Sequence, residues 1–224
     1  MKRRIVETAD GSRTILIEEW KEQYHSLHGA IREAYHVFLQ TGLYNVPGTD
    51  VAILEIGFGT GLNAIITLLE AQKRGLRIRY TALEAYPITN EELSQLNYIE
   101  ILGEPELSKP FQLMHKVSWG DAHDISPNFS LTKLKLDFRD FVANSDYQLI
   151  YFDAFGPRVQ PELWTPEIFS IMYDALLPSG MLVTYSAKGS VRRAMQQAGF
   201  LVEKLPGPPG KREMLRAVKP EISS

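Results

Sequence analysis

The sequence predicts an α/β, Rossmann-like fold with a seven-stranded, mostly parallel sheet that ends in a C-terminal antiparallel hairpin. Short β-branched and apolar runs alternate with longer amphipathic segments, the pattern of repeated strand-helix units. A glycine-rich turn follows the first buried run directly, and the last two strand-like runs have no helix between them. At 224 residues the chain suits one α/β domain. The expected organisation is a single domain over 1–224, with an N-terminal lead-in over 1–45 and a Rossmann-like core over 46–224.

Taken in order, the lead-in offers a small hairpin strand over 14–17 and a helix over 31–39 whose apolar face falls at 31, 34, 35, 38 and 39. The run VAILEI over 51–56 reads as a buried first strand, followed by the glycine turn and a helix over 62–73. A second strand spans 78–83. Beyond Pro87 a helix begins, with Thr89 as cap and Glu91 and Glu92 in its first turn. Three prolines between 97 and 129 point to short helices and an irregular excursion. The third strand is expected over 133–136 and the fourth over 147–152. A helix over 166–177 has Thr165 as cap and Pro166 in its first turn, and the Pro178-Ser179-Gly180 turn ends it. Strand five covers 181–185, a helix 190–198 and strand six 200–205. The loop PGPPG over 206–210 then leads to a strand over 213–218. Strands joined by so short a link pair antiparallel.

Composition excludes several classes. With 44% hydrophobic and 23% charged residues the chain is of ordinary globular type. Zero cysteines exclude disulfides, thiolate metal sites and a cysteine nucleophile. His25 and His28 are spaced like metal ligands, but no carboxylate-rich set accompanies them, so no metal is expected. The charged N-terminus and the lack of an 18-residue apolar run predict a cytoplasmic protein without a membrane span. Net charge is −3, yet residues 188–219 hold eight Lys or Arg against two acids, leaving +6 there and −9 over the rest. This asymmetry suggests a local basic face, for which a solvated helix face is the plain alternative.

The strongest chemical signal is Glu55-Ile56-Gly57-Phe58-Gly59-Thr60-Gly61-Leu62-Asn63, where the first strand meets the first helix. Glycines let the backbone turn tightly and approach a ligand. Dinucleotide sites carry GxGxxG, whereas this loop is GxGxG with an acid two residues ahead, the arrangement of S-adenosyl-L-methionine sites. Glu55, Gly57, Phe58, Gly59, Thr60, Gly61 and Asn63 are therefore candidate cofactor residues, with Glu55 facing the cofactor's ammonium. Glu84 ends the second strand, 27 residues after the first glycine, where a carboxylate accepts both ribose hydroxyls, with Ala85 beside it. Asp137 and Phe138 end the third strand and offer a carboxylate and a ring to an adenine, although Asp140 competes for that role.

Asp153 ends the fourth strand in Asp153-Ala154-Phe155-Gly156-Pro157, at the carboxyl edge where such sheets bind ligands. Methylation of an amine needs acceptors that aim the N–H bonds away from the sulfonium and take up the released proton. A carboxylate and a carbonyl in a proline-stiffened loop supply them, which makes Asp153 the candidate catalytic residue and places Phe155 and Pro157 on the substrate side. A small-molecule or polyamine transferase, a non-catalytic RNA-binding relative and an NAD-dependent oxidoreductase are competing readings.

Beyond these general features, the chain resembles the methyltransferase half of the MnmC family, which finishes the 5-methylaminomethyl group of the tRNA wobble uridine. The resemblance rests on Tyr24-His25-Ser26 through Gly29, Glu33 to Leu39, the glycine loop, Glu84 with Pro87, and Asp153-Ala154-Phe155. Further along it includes Leu163-Trp164-Thr165, Val191-Arg192-Arg193, Ala198-Gly199-Phe200 and Lys211 to Leu215. It implies methyl transfer from S-adenosyl-L-methionine to the primary amine of 5-aminomethyl(-2-thio)uridine in tRNA. Asp153 orients that amine, Tyr24 and Ser26 touch the cofactor, and Lys188, Arg192, Arg193, Lys211 and Arg212 form the tRNA face. No counterpart of the family's flavin-dependent oxidase half is seen, so the resemblance implies a separate enzyme that supplies the aminomethyl substrate. The proline-rich 206–210 loop departs from the aromatic and glycine that the family tends to place there.

Overall fold

The computed structural model describes residues 2–142 and 144–221; residues 1, 143 and 222–224, within the expected domain bounds, lie outside the described residues. The lead-in folds as a small antiparallel sheet of β1 (Arg3–Glu7), β2 (Arg13–Ile17) and β3 (Glu22–Gln23). Sequence reading expected only a strand over 14–17. β1 escapes it because Arg3, Arg4 and Glu7 dilute the apolar signal around Ile5 and Val6.

The expected 31–39 helix divides into α1 (Ala30–Ala34) and a π-helical stretch over Tyr35–Gln40. Of the expected face Ile31, Ala34, Phe38 and Leu39 are buried and Tyr35 only half so, while the wider turn brings Val37 inward as well. β4 (Asp50–Ile56), α2 (Leu62–Arg74) and β5 (Arg77–Leu83) follow the prediction closely. α3 (Asn90–Ser94) starts at Thr89 with a reciprocal capping box: Glu92 N–H donates to the Thr89 hydroxyl and Thr89 N–H to the Glu92 carboxylate.

The excursion contains α4 (Tyr98–Leu102), α5 (Ser108–Lys116) and a strand that was not predicted, β6 (Ala122–Ser126), which pairs antiparallel with β7 (Phe129–Leu134). The main sheet therefore has eight strands, not seven. Of β6 only Ile125 is buried, too little to stand out in sequence. β7 also lies earlier than expected, because Phe129, Leu131 and Lys133 form its inward face and Lys133, only 1% exposed, hides the alternation.

β8 (Tyr147–Phe152) matches the expected strand. α6 (Pro166–Ala175) runs directly into β9 (Leu176–Thr184), so the Pro178-Ser179-Gly180 segment is a bulge in the strand rather than the turn that ends the helix. α7 (Gly189–Gln197), β10 (Leu201–Pro206) and β11 (Glu213–Val218) close the chain, the last two as the expected antiparallel hairpin.

Strand order is β10-β11-β9-β8-β4-β5-β7-β6, with β9, β8, β4, β5 and β7 parallel. Alternation along β4 sends Val51 and Ile53 into one apolar layer with α1, α2 and α5, and Ala52, Leu54 and Ile56 into another with α6 and α7. Burial on both faces is what makes VAILEI a near-continuous apolar run. From β4 the chain winds first toward β5 and later returns to β8, so the order reverses between β4 and β8. A crevice opens at such a switch point, at the carboxyl ends of the strands. No helix among the described residues is long and apolar enough to cross a membrane.

Candidate active site

The switch point opens on a cavity of about 490 Å³, within the roughly 300–1,000 Å³ usual for small-molecule sites. The tails of β4 and β8 lie side by side at its floor. Asp153 N–H donates to the Ile56 carbonyl at 3.0 Å, and a Cβ on Gly57, whose φ is +92°, would stand 2.8 Å from the Asp153 carbonyl oxygen. Only glycine allows this approach. The Gly57 and Phe58 N–H groups both donate to Leu83 O, at 3.0 and 3.1 Å, which binds the loop to the end of β5.

Below the loop the excursion acts as a buttress. The Tyr98 hydroxyl donates to Thr60 Oγ1 at 3.0 Å, and His115 Nε2 meets Thr60 O at 3.2 Å. Burial, helped by nearby Lys133, lowers the His115 pKa to about 4, so the neutral ring donates its Nε2–H to that carbonyl. His25 is also lowered to about 4 by burial, and its Nδ1 is hydrogen-bonded to the Thr14 hydroxyl at 2.9 Å. Among the described residues no group of three or more His, Cys, Asp or Glu is placed to hold a metal.

Two carboxylates lie on the wall at strand ends. Glu84, 8% exposed, accepts the Gly59 N–H through Oε2 and the Tyr86 N–H through Oε1, both at 2.8 Å. A carboxylate has about four lone-pair sites, so it keeps capacity for further donors. Asp153, half-buried, lines the cavity and accepts the Asn63 amide N–H through Oδ2 at 2.8 Å. Burial pushes its pKa up to about 7 against the hydrogen bond from Asn63; Glu33 adds to the rise and Lys211 opposes it. The loop after it is pinned from two sides: the Tyr185 hydroxyl donates to Ala154 O and Trp164 Nε1 to Phe155 O, each at 2.8 Å. The Phe155 ring sits edge-on to Trp20 and Tyr24, with centroids at 5.3 and 4.9 Å.

Every residue expected at the cofactor lies on the cavity wall except Glu55 and Gly61. Gly61, at φ +74°, forms the N-cap of α2, and Glu55 is wholly buried behind the loop. Between Asp137 and its competitor, only Asp137 reaches the wall. Its carboxylate is already engaged by the Arg139 N–H and guanidinium at 2.6 to 3.0 Å, which leaves Phe138 as the freer of that pair.

Of the residues expected on the substrate face, Phe155 and Lys211 line the cavity, while Pro157, Lys188, Arg192, Arg193 and Arg212 lie outside it. Lys211 turns inward to Glu33 at 2.7 Å and rests over the Tyr185 ring at 4.1 Å. Ion pairs also occupy Lys204 and Arg216, and Lys219 donates to the Tyr173 and Leu176 carbonyls. Lys188, Arg192, Arg193 and Arg212 make no ion pair among the described residues. Sequence reasoning gave Glu33, Tyr185, Trp20 and Trp164 no role in the site. Only Tyr185 carried a usable signal, a polar aromatic just past the carboxyl end of a parallel strand.

A family model described as S-adenosyl-L-methionine-dependent methyltransferase matches residues 105–220. The chain is 33% identical over 208 residues to the tRNA 5-methylaminomethyl-2-thiouridine biosynthesis bifunctional protein MnmC of Azoarcus sp. (strain BH72), covering 86% of this chain and 32% of that protein. It is 31% identical over 212 residues to the protein of the same name from Idiomarina loihiensis, covering 86% and 34%. The chain thus spans about a third of the length of these curated relatives. Among solved structures, MNMC2 from Aquifex aeolicus superimposes with a TM-score of 0.79 at 27% identity, over 99% of this chain and 73% of that one. Spermidine synthase from Thermotoga maritima, at TM-score 0.56, 12% identity and 97% and 68% coverage, shares the fold alone.

Proposed function

We propose, on the premise that this chain belongs to the S-adenosyl-L-methionine-dependent methyltransferase family, that it methylates the primary amine of 5-aminomethyluridine, or its 2-thio form, at the tRNA wobble position. The single observation that carries the reading is the seat of Asp153, a carboxylate lining the same cavity that the glycine loop borders. The names of the MnmC relatives supply the RNA and the modified base.

The residues present fit the cofactor. Gly57 leaves no room for a side chain at the loop, and Glu84 keeps free lone pairs on the wall. The glycine loop, Glu84 with Ala85, Phe138, and Tyr24 with Ser26 would hold it. When bound, S-adenosyl-L-methionine supplies a methyl group on a sulfonium that is already a good leaving group. The work of the chain is then positioning. Asp153 accepts an amine N–H, aims the nitrogen lone pair, and takes up the released proton on its carboxylate. Trp20, Tyr24 and Phe155 wall that side of the cavity with apolar edges.

Asp153 accepts only while ionised, so kcat falls as pH drops through about 7, the value to which burial pushes the group. The cation of Lys211 favours the ionised form, so Lys211→Met moves this limb to higher pH. Substrate ionisation in solution cannot produce that shift. A kcat profile from about pH 5.5 to 9 in which both proteins share one limb rules out Asp153 as the titrating group.

Lys188, Arg192, Arg193 and Arg212 form the tRNA contact in this reading, and Lys211 serves the cavity. Replacing Arg192, Arg193 and Arg212 together with Ala is expected to weaken tRNA binding and reduce the salt slope by about 2 to 3, with cofactor affinity unchanged. Fluorescence titrations at several salt concentrations measure it. Affinity insensitive to salt in the parent protein would instead favour a small-molecule amine as substrate.

A further inference from the structure

Glu55 stands two residues ahead of the first glycine, where the loop pattern places an acid for the cofactor's ammonium. Yet it is 0% exposed and does not line the cavity. Its Oε1 accepts a hydrogen bond from Asn63 Nδ2 at 3.0 Å, and the same amide nitrogen donates to Asp153 Oδ2 at 2.8 Å. Three elements meet in this chain of contacts: the end of β4, the first turn of α2 and the end of β8. Both N–H bonds of one amide are spent on two carboxyl groups, which fixes the way the amide faces.

We propose that Glu55 and Asn63 are positioning residues for Asp153: the acid ahead of the glycine loop acts through the Asn63 amide on the amine-binding carboxylate, not on the cofactor. The inference rests on the reading of Asp153 as the residue that orients the amine. Asn63 ties down Oδ2 and leaves Oδ1 for the incoming N–H. Glu55 in turn gives the second amide hydrogen an acceptor; without it a buried donor is left unpaired and the amide is free to swing.

Burial drives Glu55 toward its protonated form, which keeps a second negative charge away from Asp153 and suits a structural acceptor better than an ammonium ligand. The polar and titratable groups around Asp153 are then Glu55 and Asn63 from below, Tyr80 from β5 beside Glu55, Tyr98 from α4, Glu33 from α1, Lys211 from the loop before β11 and Tyr185 after β9.

The test compares Glu55→Gln, Glu55→Leu and Asn63→Leu by binding of S-adenosylhomocysteine, by kcat, and by titration of the Asp153 carboxyl carbon by NMR without substrate. Gln keeps the acceptor and is expected to leave S-adenosylhomocysteine affinity and kcat within about twofold of the parent. Leu at 55 lowers kcat about tenfold, the size of one neutral hydrogen bond, and Leu at 63 about 10- to 100-fold, the size of a hydrogen bond to the charged Asp153, while S-adenosylhomocysteine affinity stays within about threefold. The Asp153 titration moves to higher pH in Asn63→Leu. A loss of about tenfold or more in affinity in Glu55→Gln would put the Glu55 carboxylate on the cofactor and overturn the proposal. So would an unmoved Asp153 titration in a folded Asn63→Leu protein. Binding and titration need no RNA, so failure of the tRNA reading appears separately, as absent turnover in the parent protein.

Discussion

Asp153→Ala is expected to lower the rate of methyl transfer by about 10²- to 10⁴-fold, the range for loss of a positioned proton acceptor, while S-adenosylhomocysteine binds within about threefold of the parent. The argument is one of location. Asp153 hangs from the last residue of β8, its carboxylate facing the cavity, and its hydrogen bond runs to Asn63 rather than to the loop backbone. The glycine loop is anchored independently, through Leu83 O, Glu84 and Thr60. Removing the carboxylate therefore leaves the loop in place. It also frees Asn63 to settle on Glu55, which limits damage to the fold. Single-turnover kinetics with aminomethylated tRNA, beside calorimetric binding of S-adenosylhomocysteine, separate the two effects. Equal losses in both would take Asp153 out of the proton-accepting role.

Much of the site was legible because it occupies chain positions with strong local signals. The end of a fully buried strand, a loop of glycines and acids at successive strand ends are all readable one segment at a time. Glu84 and Asp153 appear on the cavity wall for that reason. What escaped depends on pairings between distant segments. The Lys211–Glu33 pair joins residues 178 apart, and nothing local in either distinguishes an inward-facing lysine from one on a solvated surface. Charge counting over 188–219 does not separate the two kinds of cation either: half of them are spent on acids or carbonyls within the fold. At the far edge of the sheet the two misreadings share a cause: β6 buries a single isoleucine and β7 a lysine on its inward face, where hydrophobic alternation cannot be seen. Lys133 satisfies its charge on the His115 carbonyl at 2.9 Å and over the Trp119 ring at 4.7 Å, partners supplied by α5 and the loop after it.

Gly57→Ala should reduce S-adenosylhomocysteine affinity by about 10- to 100-fold while the protein stays folded, from a local strain of about 1–3 kcal/mol. The backbone there is at φ +92°, and the added methyl would lie 2.8 Å from Asp153 O and 3.3 Å from its carbonyl carbon. Neither neighbour is a side chain that can rotate away. Relief requires the loop to lift from Leu83 O or the β8 tail to move outward, and both are walls of the same cavity. The sheet beneath is held by the β4 pairings to β5 and β8 and does not depend on the loop. Gly75→Ala is the control: φ is +66° at the C-cap of α2, but nothing lies within 4 Å of the added methyl. It pays the backbone strain alone, so it should lower the melting temperature and leave affinity intact. Parent-like affinity in a folded Gly57→Ala protein would mean that the cofactor does not rest on this loop. Loss of affinity in both variants would trace the effect to general destabilisation rather than to the contact between the β4 and β8 tails.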